Sequence, residues 1–216
     1  MICQLVVLIS GNGSNLQAII DSIKARQCPA AIKAVISNNA AAFALQRAQA
    51  AGIATYVIEH EHYPDRAAFD RALLNLIAGF QPDLVVLAGF MRILTTEFVD
   101  HFLGRLINIH PSLLPKYPGL HTHQRALQAA DKQHGCSVHF VTPELDGGPV
   151  IIQAATSIEP NTTLELLTKE VAELEHKIYP LAIQWFAEQR LTLVNNKPLL
   201  DGKPLPINGY RYVKTN

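Results

Sequence analysis

Near its start the chain reads Leu5-Val6-Val7-Leu8-Ile9-Ser10-Gly11-Asn12-Gly13-Ser14-Asn15. The first five residues of this stretch are an unbroken apolar run, which predicts a strand buried on both faces. After the glycines, apolar residues recur at the spacing of a helix, at Leu16, Ile19, Ile20 and Ile23. The glycines therefore lie at a strand-to-helix turn, where free backbone N–H groups and a helix N-terminus favour a phosphate or another anion.

Two features argue against a dinucleotide at this turn. Leu16 occupies the third glycine position of G-x-G-x-x-G, and Ser37-Asn38-Asn39 follows the second predicted strand where an acidic residue would bind the ribose. The chain also lacks the G-K-[ST] motif. We interpret the turn as a cradle for a single phosphate. The alternative is a tight turn that needs glycines only for its backbone conformation.

Strands and helices continue to alternate after this turn. We expect a helix over residues 41–51, a strand over 55–58, a helix over 65–80 and a strand over 83–88. This order predicts an α/β fold, a single domain with a doubly wound, mostly parallel sheet and helices on both faces. The segment from Gly89 to Leu94 follows the last of these strands, at the same edge of the sheet as the glycine turn. Its apolar side chains either line a pocket for a flat ring or pack in the core.

A further apolar strand ends in the motif Asn108-Ile109-His110-Pro111. Alternation along a strand places Asn108 and His110 on one side, and Pro111 ends the strand. Open parallel sheets bind ligands at this carboxyl edge. An amide donor beside an imidazole suits a reaction that passes through an oxyanion and a proton transfer. The alternative is a structural pair in which both side chains only satisfy local hydrogen bonds.

Two more patterns occur in the second half of the chain. Residues 137–141 alternate like a strand, and a turn containing Asp146 then leads to a strand over 150–154. Thr162 and Glu165 form a capping box before a long amphipathic helix, which we expect to break near Pro180. Beyond Arg190 the pattern suggests a hairpin and a tail at the far edge of the sheet.

Composition excludes several classes of protein. The 216 residues are 49% hydrophobic and 17% charged, which is typical of a compact globular protein. The 18 basic and 18 acidic residues form no run of like charge, so we expect no nucleic-acid partner. Cys3, Cys28 and Cys136 are odd in number and scattered, which indicates a reducing cytosol. The apolar run at residues 5–9 is too short for a signal peptide or a membrane span, so we expect a cytoplasmic protein without a membrane partner.

Histidines cluster between residues 110 and 139, where five of the nine lie. The His121-Thr122-His123 motif contains two side chains of a type that binds metals. However, no Cys, Asp or Glu stands beside it at ligand spacing, and H-x-H on a loop is a weak signal. We therefore expect no metal.

Four motifs together resemble the glycinamide ribonucleotide transformylase family, also called the phosphoribosylglycinamide formyltransferases. They are Ile9 to Leu16, Ala88 to Arg92, Asn108 to Pro115, and Ser137 to Phe140 with Leu145 to Pro149. The motifs occur in the order and with the separations of that family. The match runs from about residue 5 to about residue 190. The resemblance implies a formyltransferase domain over residues 1–190, with a phosphate-binding N-terminal half and a C-terminal half for folate and catalysis, followed by a hairpin and tail over 191–216.

The same resemblance implies an activity in de novo purine biosynthesis. A formyl group would pass from the cosubstrate 10-formyltetrahydrofolate to the amine of glycinamide ribonucleotide, without a metal, in a monomer or a homodimer. The implied catalytic residues are Asn108, His110 and Asp146. The implied ribonucleotide-binding residues are Gly13, Ser14, Asn15 and Glu175. The implied folate-binding residues are Arg66, Met91, Arg92, Ile93, Leu94, Asn108, Thr142, Pro143, Glu144, Leu145 and Asp146.

The chemistry of acyl transfer assigns roles to the implied catalytic residues. Asn108 would donate to the oxyanion, His110 would stabilise it or shuttle the proton, and Asp146 would pair with His110. Ser112 lacks the S-x-x-K or G-x-S-x-G context of an activated nucleophile, so we expect direct attack by the amine.

Three alternatives share parts of the pattern. A formyltetrahydrofolate hydrolase resembles the same catalytic residues, but it uses water as the acceptor and carries an extra N-terminal regulatory domain. A methionyl-tRNA formyltransferase shares the Ser112-Leu113-Leu114-Pro115 type of motif, but it carries a basic C-terminal domain that this neutral chain has no room for. A non-catalytic nucleotide-phosphate binding module would leave the polar residues at the sheet edge unexplained.

Overall fold

The structure is a computed structural model that describes residues 2–213. The chain forms two compact units, Met1–Asn108 and Ile109–Asn216. No helix among the described residues is long and apolar enough to cross a membrane.

The first unit is a parallel sheet with helices between its strands. The sheet order is β3-β2-β1-β4-β5, and every pairing in it is parallel. The strands are β1 (Cys3–Ile9), β2 (Ala30–Ser37), β3 (Thr55–Val57), β4 (Leu84–Leu87) and β5 (Leu106–His110), whose last two residues belong to the second unit. The helices are α1 (Ser14–Lys24), α2 (Phe43–Ala50), α3 (Arg66–Ala78) and α4 (Thr96–His101), with a 3₁₀ turn at His60–His62.

The strand order reverses between β1 and β4, as in a doubly wound sheet. Right-handed crossovers then place α1 and α2 on one face and α3 and α4 on the other. The contacts agree with this arrangement, because α1 packs on α2 and α3 packs on α4. Residues Leu5–Ile9 at the centre are fully buried, which confirms the predicted strand with two covered faces. Ser10 N–H donates to Gly89 O at 3.2 Å, so the glycine turn and the segment after β4 meet at one edge, as predicted.

The second unit contains an antiparallel pair of strands covered by a long helix. Strand β6 (Gln133–Phe140) pairs with β7 (Val150–Ser157), and β11 (Tyr210–Tyr212) adds to β7 in parallel. Helix α6 (Leu164–Ala187) packs on β6 and β7, and α5 (Thr122–Gln128) packs on α6. A small separate sheet contains β8 (Leu191–Val194), β9 (Lys197–Leu200) and β10 (Lys203–Pro204). With the parallel first unit, these pairings confirm the predicted α/β class with a mostly parallel sheet.

Helix α6 corrects two predictions. Its N-cap is Thr163, whose hydroxyl accepts from Leu166 N–H at 3.1 Å, because the Thr162 hydroxyl is already bound to Glu159 N–H at 2.9 Å. The predicted break near Pro180 is also wrong, since the helix continues to Ala187. A helical proline costs about 3 kcal/mol through its missing N–H and its ring. The residues around it, Ile178, Tyr179, Ala182 and Ile183, are fully buried, and this packing outweighs the local cost.

Periodicity also failed for short or fully covered elements. Helices α4 and α5 were not predicted, because one or two turns are too short to show a period. The His121-Thr122-His123 motif was expected on a loop, but Thr122 is the first residue of α5. Strand β6 is buried on both faces from His134 onward, so the predicted alternation does not describe it.

Close contact between β6 and β7 makes Gly135 sensitive to substitution. A Cβ at Gly135 would lie 1.9 Å from Ala154 O, so alanine must push the two strands apart. We predict that Gly135→Ala lowers the free energy of unfolding by about 1–3 kcal/mol or more, measured by urea denaturation. Gly79→Ala is the matched control, because its Cβ would meet two backbone oxygens at ordinary contact distances, Leu76 O at 3.4 Å and Asn75 O at 3.9 Å. Equal losses for the two variants would contradict the prediction.

Candidate active site

His110 and Asp146 meet in the second unit although they are far apart in sequence. His110 is the last residue of β5, and Asp146 lies in the turn between β6 and β7. His110 Nδ1 is 3.5 Å from Asp146 Oδ2, and the two side chains are only 7% and 9% exposed. The contact brings a carboxylate oxygen against an imidazole nitrogen at a site with little access to solvent. The structure therefore pairs two of the three predicted catalytic residues.

The other nitrogen of His110 also has a defined role. Nε2 lies 2.8 Å from Tyr117 O, and because a carbonyl oxygen only accepts, Nε2 carries a proton and donates it. Tyr117 belongs to the loop between β5 and α5. Its hydroxyl donates to Asp131 Oδ2 at 2.8 Å, and Lys116 Nζ donates to Asp131 Oδ1 at 2.9 Å. The loop thus fixes the direction in which His110 presents its proton.

Backbone geometry holds Asp146 in place. Its φ is +51°, and its Oδ2 accepts from Gly119 N–H at 2.8 Å. The same turn requires a glycine at position 148, because a Cβ there would lie 1.8 Å from Phe140 O. Asp146 is therefore a turn residue whose carboxyl group has little access to solvent and faces His110.

His139 is a residue of this site that sequence reasoning did not select. Its Nε2 lies 3.8 Å from Asp146 Oδ1, and its Nδ1–H donates to Phe140 O at 2.9 Å. Burial lowers the pKa of His139 well below the usual histidine value. Asp146 is thus bracketed by two imidazoles. The only sequence signal was the place of His139 in the Ser137-Val138-His139-Phe140 motif.

Asn108 and Glu175 are described by their place in the fold and their burial. Asn108 is half-buried on β5, two residues before His110, so both side chains leave the strand on the same side. Glu175 is half-buried on α6. Burial and the charge of Glu175 raise the pKa of the Cys136 thiol, which places Glu175 close to β6.

In the glycine turn of the first unit, packing against another helix requires one of the glycines. Gly13 has φ +78°, and a Cβ there would lie 2.4 Å from Ala44 Cβ on α2. Gly13 is therefore needed for the turn and for the contact between α1 and α2, as the alternative interpretation held. The N-cap residue of α1 is Gly13, which has no side chain that could cap the helix. This geometry is also that of an anion-binding helix N-terminus.

Arg47 binds the glycine turn, and the sequence analysis did not predict it as a site residue. Its Nε donates to Asn12 O at 2.9 Å, and its Nη2 donates to Asn12 Oδ1 at 3.1 Å. A single arginine in an alanine-rich helix gives no signal of such a contact. The guanidinium adds positive charge beside the predicted phosphate cradle.

The predicted folate-binding residues are distributed over both units. In the segment after β4, Met91 and Ile93 are 68% and 54% exposed, whereas Leu94 is buried and Arg92 is half-buried. Core packing therefore does not explain Met91 and Ile93. Arg66 is exposed at the start of α3. In the second unit, Thr142 is half-buried, whereas Pro143, Glu144 and Leu145 are exposed before Asp146. Their roles stay predictions.

Two other histidines form a separate contact near the site. His123 Nδ1 and His134 Nε2 are 3.0 Å apart, so one ring donates and the other accepts. No group of three or more metal-ligating side chains is placed to hold a metal within residues 2–213.

An α/β sheet with an imidazole–carboxylate pair at the end of a strand is an arrangement typical of enzymes. Comparison with known proteins narrows the class, because residues 3–183 match the model of the formyl transferase family. The chain is 56% identical to the phosphoribosylglycinamide formyltransferase of Escherichia coli K12, over 95% of this chain and 97% of that protein. It is 47% identical to the Haemophilus influenzae protein of the same name, over 96% of this chain and 98% of the relative.

A solved structure agrees with these relatives. The phosphoribosylglycinamide formyltransferase of Coxiella burnetii, in complex with CHES, superimposes with a TM-score of 0.95 at 53% identity, covering 99% of this chain and all of that one. The chain belongs to the phosphoribosylglycinamide formyltransferase family.

The buried histidines predict a dependence of stability on pH. Burial, with a smaller effect from His123, lowers the pKa of His134 to about 4, whereas an unfolded histidine titrates near 6.5. Stability is therefore full above about pH 6.5 and falls as the pH drops towards 4, because only the unfolded chain takes up the proton. We predict that His134→Gln reduces the loss of unfolding free energy between pH 7.5 and 5 by roughly 2 kcal/mol.

Urea denaturation at both pH values measures this effect. His101→Gln changes an exposed histidine and should lose as much stability on acidification as the unaltered protein. If His134→Gln shows the same loss as His101→Gln, His134 does not contribute to the acid sensitivity.

Proposed function

We propose that this protein transfers the formyl group of 10-formyltetrahydrofolate to the amine of glycinamide ribonucleotide. The observation that supports this most strongly is the buried His110–Asp146 pair at the end of β5, two residues after an amide side chain on the same strand. Family membership supports the choice of substrates. The chemistry needs an oxyanion donor and a proton carrier, and these residues offer both.

The reaction is a direct acyl transfer. The neutral amine attacks the formyl carbon, a C–N bond forms, and the carbonyl oxygen becomes an oxyanion. The bond from this carbon to the folate nitrogen then breaks. His110, as an imidazolium, gives its Nε2 proton to the departing folate nitrogen and then takes up the proton lost by the amine at the same atom, so no proton is gained or lost overall.

His110 and Asn108 have different roles at the reacting carbon. Asn108 donates its amide N–H to the oxyanion, since this group remains neutral throughout. The Nε2–H of His110 is held by Tyr117 O in the structure, so an oxyanion would take over this donor from the carbonyl. Asp146 faces the opposite nitrogen and stabilises the imidazolium that forms when the ring receives the proton.

The surroundings of Ser112 support direct transfer over a covalent intermediate. The Ser112 hydroxyl is fully buried and donates to Lys116 O at 2.5 Å. The Ser112 backbone carbonyl accepts from the Ser137 hydroxyl at 2.6 Å. A hydroxyl committed to its own loop, without a base beside it, is a poor nucleophile.

The ribonucleotide phosphate is assigned to the N-terminus of α1. Gly13, Ser14 and Asn15 present its first backbone N–H groups, and Arg47 adds charge beside them. Glu175 is assigned to the sugar hydroxyls, which a carboxylate can accept from. The folate is assigned to Arg66, to Met91–Leu94 and to Thr142–Asp146, with the apolar side chains meeting its rings.

The need for an acceptor tests the proposed reaction. We predict that loss of 10-formyltetrahydrofolate requires glycinamide ribonucleotide and that formate release without it is slower by at least about 10², since a docked acceptor amine is oriented for attack whereas water has no phosphate or sugar by which to dock. Absorbance of the folate and enzymatic detection of formate give the two rates. Acceptor-independent formate release at the full rate would establish a hydrolase instead.

The catalytic pair should behave as a unit. We predict that His110→Ala and Asp146→Asn each lower kcat by about 10²–10⁴, because both remove the same proton carrier. The double variant should lose little more than His110→Ala alone, since Asp146 acts through the ring. Steady-state kinetics with both substrates saturating measures kcat, and His101→Gln is the histidine control. Losses that multiply in the double variant would show that Asp146 acts independently of His110.

A further inference from the structure

The segment Met91–Thr95 is held at both ends by side chains from other elements of the first unit. Met91 N–H donates to Ser10 Oγ at 2.8 Å. Thr95 N–H donates to Asp70 Oδ2 at 2.5 Å. Ser10 follows β1 and Asp70 lies in α3, so the sheet and a helix fix the segment together.

The hydroxyl of Ser10 is itself oriented. Its single proton goes to Asn38 Oδ1 at 2.5 Å, which leaves its oxygen lone pairs to accept Met91 N–H. Asn38 is buried at the end of β2, and Ser10 N–H donates to Gly89 O at 3.2 Å. The position of Met91 is therefore set by β1, β2 and the end of β4 at once.

Using the buried carboxyl group of Asp70 to bind Thr95 N–H lowers the stability of the fold. Its side chain is 1% exposed, and Oδ1 is buried without a hydrogen-bond partner in the described part of the chain. Arg92 Nε, within the held segment, is also buried without a hydrogen-bond partner among the described residues. Burying polar atoms without partners lowers stability, and a neutral residue would hold one N–H at less cost. Such costs are typical of functional positions rather than of purely structural ones.

The held segment presents two apolar side chains to solvent. Met91 and Ile93 are 68% and 54% exposed, while Leu94 is buried and the Arg92 guanidinium lies 5.8 Å from the centre of the Phe69 ring. Because both ends are fixed, this apolar surface is formed before a ligand arrives. A preformed surface saves the entropy of ordering on binding.

We propose that Ser10 and Asp70 are positioning residues for the folate, which hold Met91–Thr95 so that Met91 and Ile93 meet its rings. This inference rests on the proposed function, since it uses the folate assigned to this segment. Ser10 and Asp70 act through the segment and are not catalytic residues.

Matched substitutions separate the hydrogen bonds from general stability. Ser10→Ala and Asp70→Ala remove the acceptors, whereas Ser10→Thr keeps the hydroxyl and Asp70→Asn keeps a carbonyl oxygen. Thr163→Ala removes the N-cap of α6 in the other unit and controls for loss of stability alone. If Asp70→Ala does not fold, Ser10→Ala tests the same segment from its other end.

The readouts are steady-state kinetics and amide hydrogen exchange by mass spectrometry of the free protein. We expect both alanine variants to raise the KM for 10-formyltetrahydrofolate about tenfold and to speed exchange in peptides covering residues 91–95. The KM for glycinamide ribonucleotide and kcat should stay within about twofold of the unaltered protein. Ser10→Thr, Asp70→Asn and Thr163→Ala should keep the folate KM of the unaltered protein.

Three results would overturn the inference. The first is unchanged exchange at residues 91–95 in the alanine variants, and the second is faster exchange with an unchanged folate KM. The third is an equal rise in folate KM for Thr163→Ala, which would show general destabilisation. The activity of the unaltered protein distinguishes the two proposals. If it transfers the formyl group and the alanine variants bind folate normally, only the positioning inference fails, whereas absence of transfer refutes the proposed function.

Discussion

A carboxyl group buried in a protein needs polar partners, and the turn between β6 and β7 is built around that need. Asp146 faces His110 on one side and His139 on the other, and it accepts from the backbone of Gly119. Its positive φ and the absence of a side chain at Gly148 make this position possible. Removing these contacts would leave an uncompensated buried charge, which costs several kcal/mol.

The two histidines around Asp146 are given different tasks by their own hydrogen bonds. His139 donates Nδ1–H to a neighbouring carbonyl, and full burial keeps it neutral. His110 donates Nε2–H to the loop carbonyl of Tyr117, which a reacting oxyanion can replace. One ring thus supports the carboxyl group, while the other is the ring for which we propose proton exchange with the substrates. This division follows from burial and from which acceptor each ring meets, not from residue type.

In the first unit, hydrogen bonds hold irregular backbone in place at the point where the strand order reverses. Open α/β sheets bind ligands at such a point because neighbouring loops diverge there. The chain after β1 and the chain after β4 are tied together by Ser10, and Asp70 ties the end of the second to α3. Arg47 ties the glycine turn to α2 in the same way. Loops that are individually irregular are thereby made rigid.

Local pattern alone determined much of this protein. The resemblance of four motifs to a known family predicted the family, whereas the apolar run at Leu5–Ile9 and the helical spacing after the glycine turn were enough to predict the α/β class. They were enough because burial and periodicity are properties of neighbouring residues. The pairing of His110 with Asp146 also followed from the sequence, but only through family resemblance, since no spacing rule links them.

Tertiary structure decided what depends on residues distant in the chain. Gly13 is required by Ala44 on another helix, and His139 joins the site only because two strands and a turn converge. Helix α6 passes through Pro180 because packing on β6 and β7 outweighs a missing hydrogen bond. Ser10 and Asp70 gain their partners across the first unit in the same manner. Such contacts join residues without sequence periodicity, so the fold must form before they can be recognised.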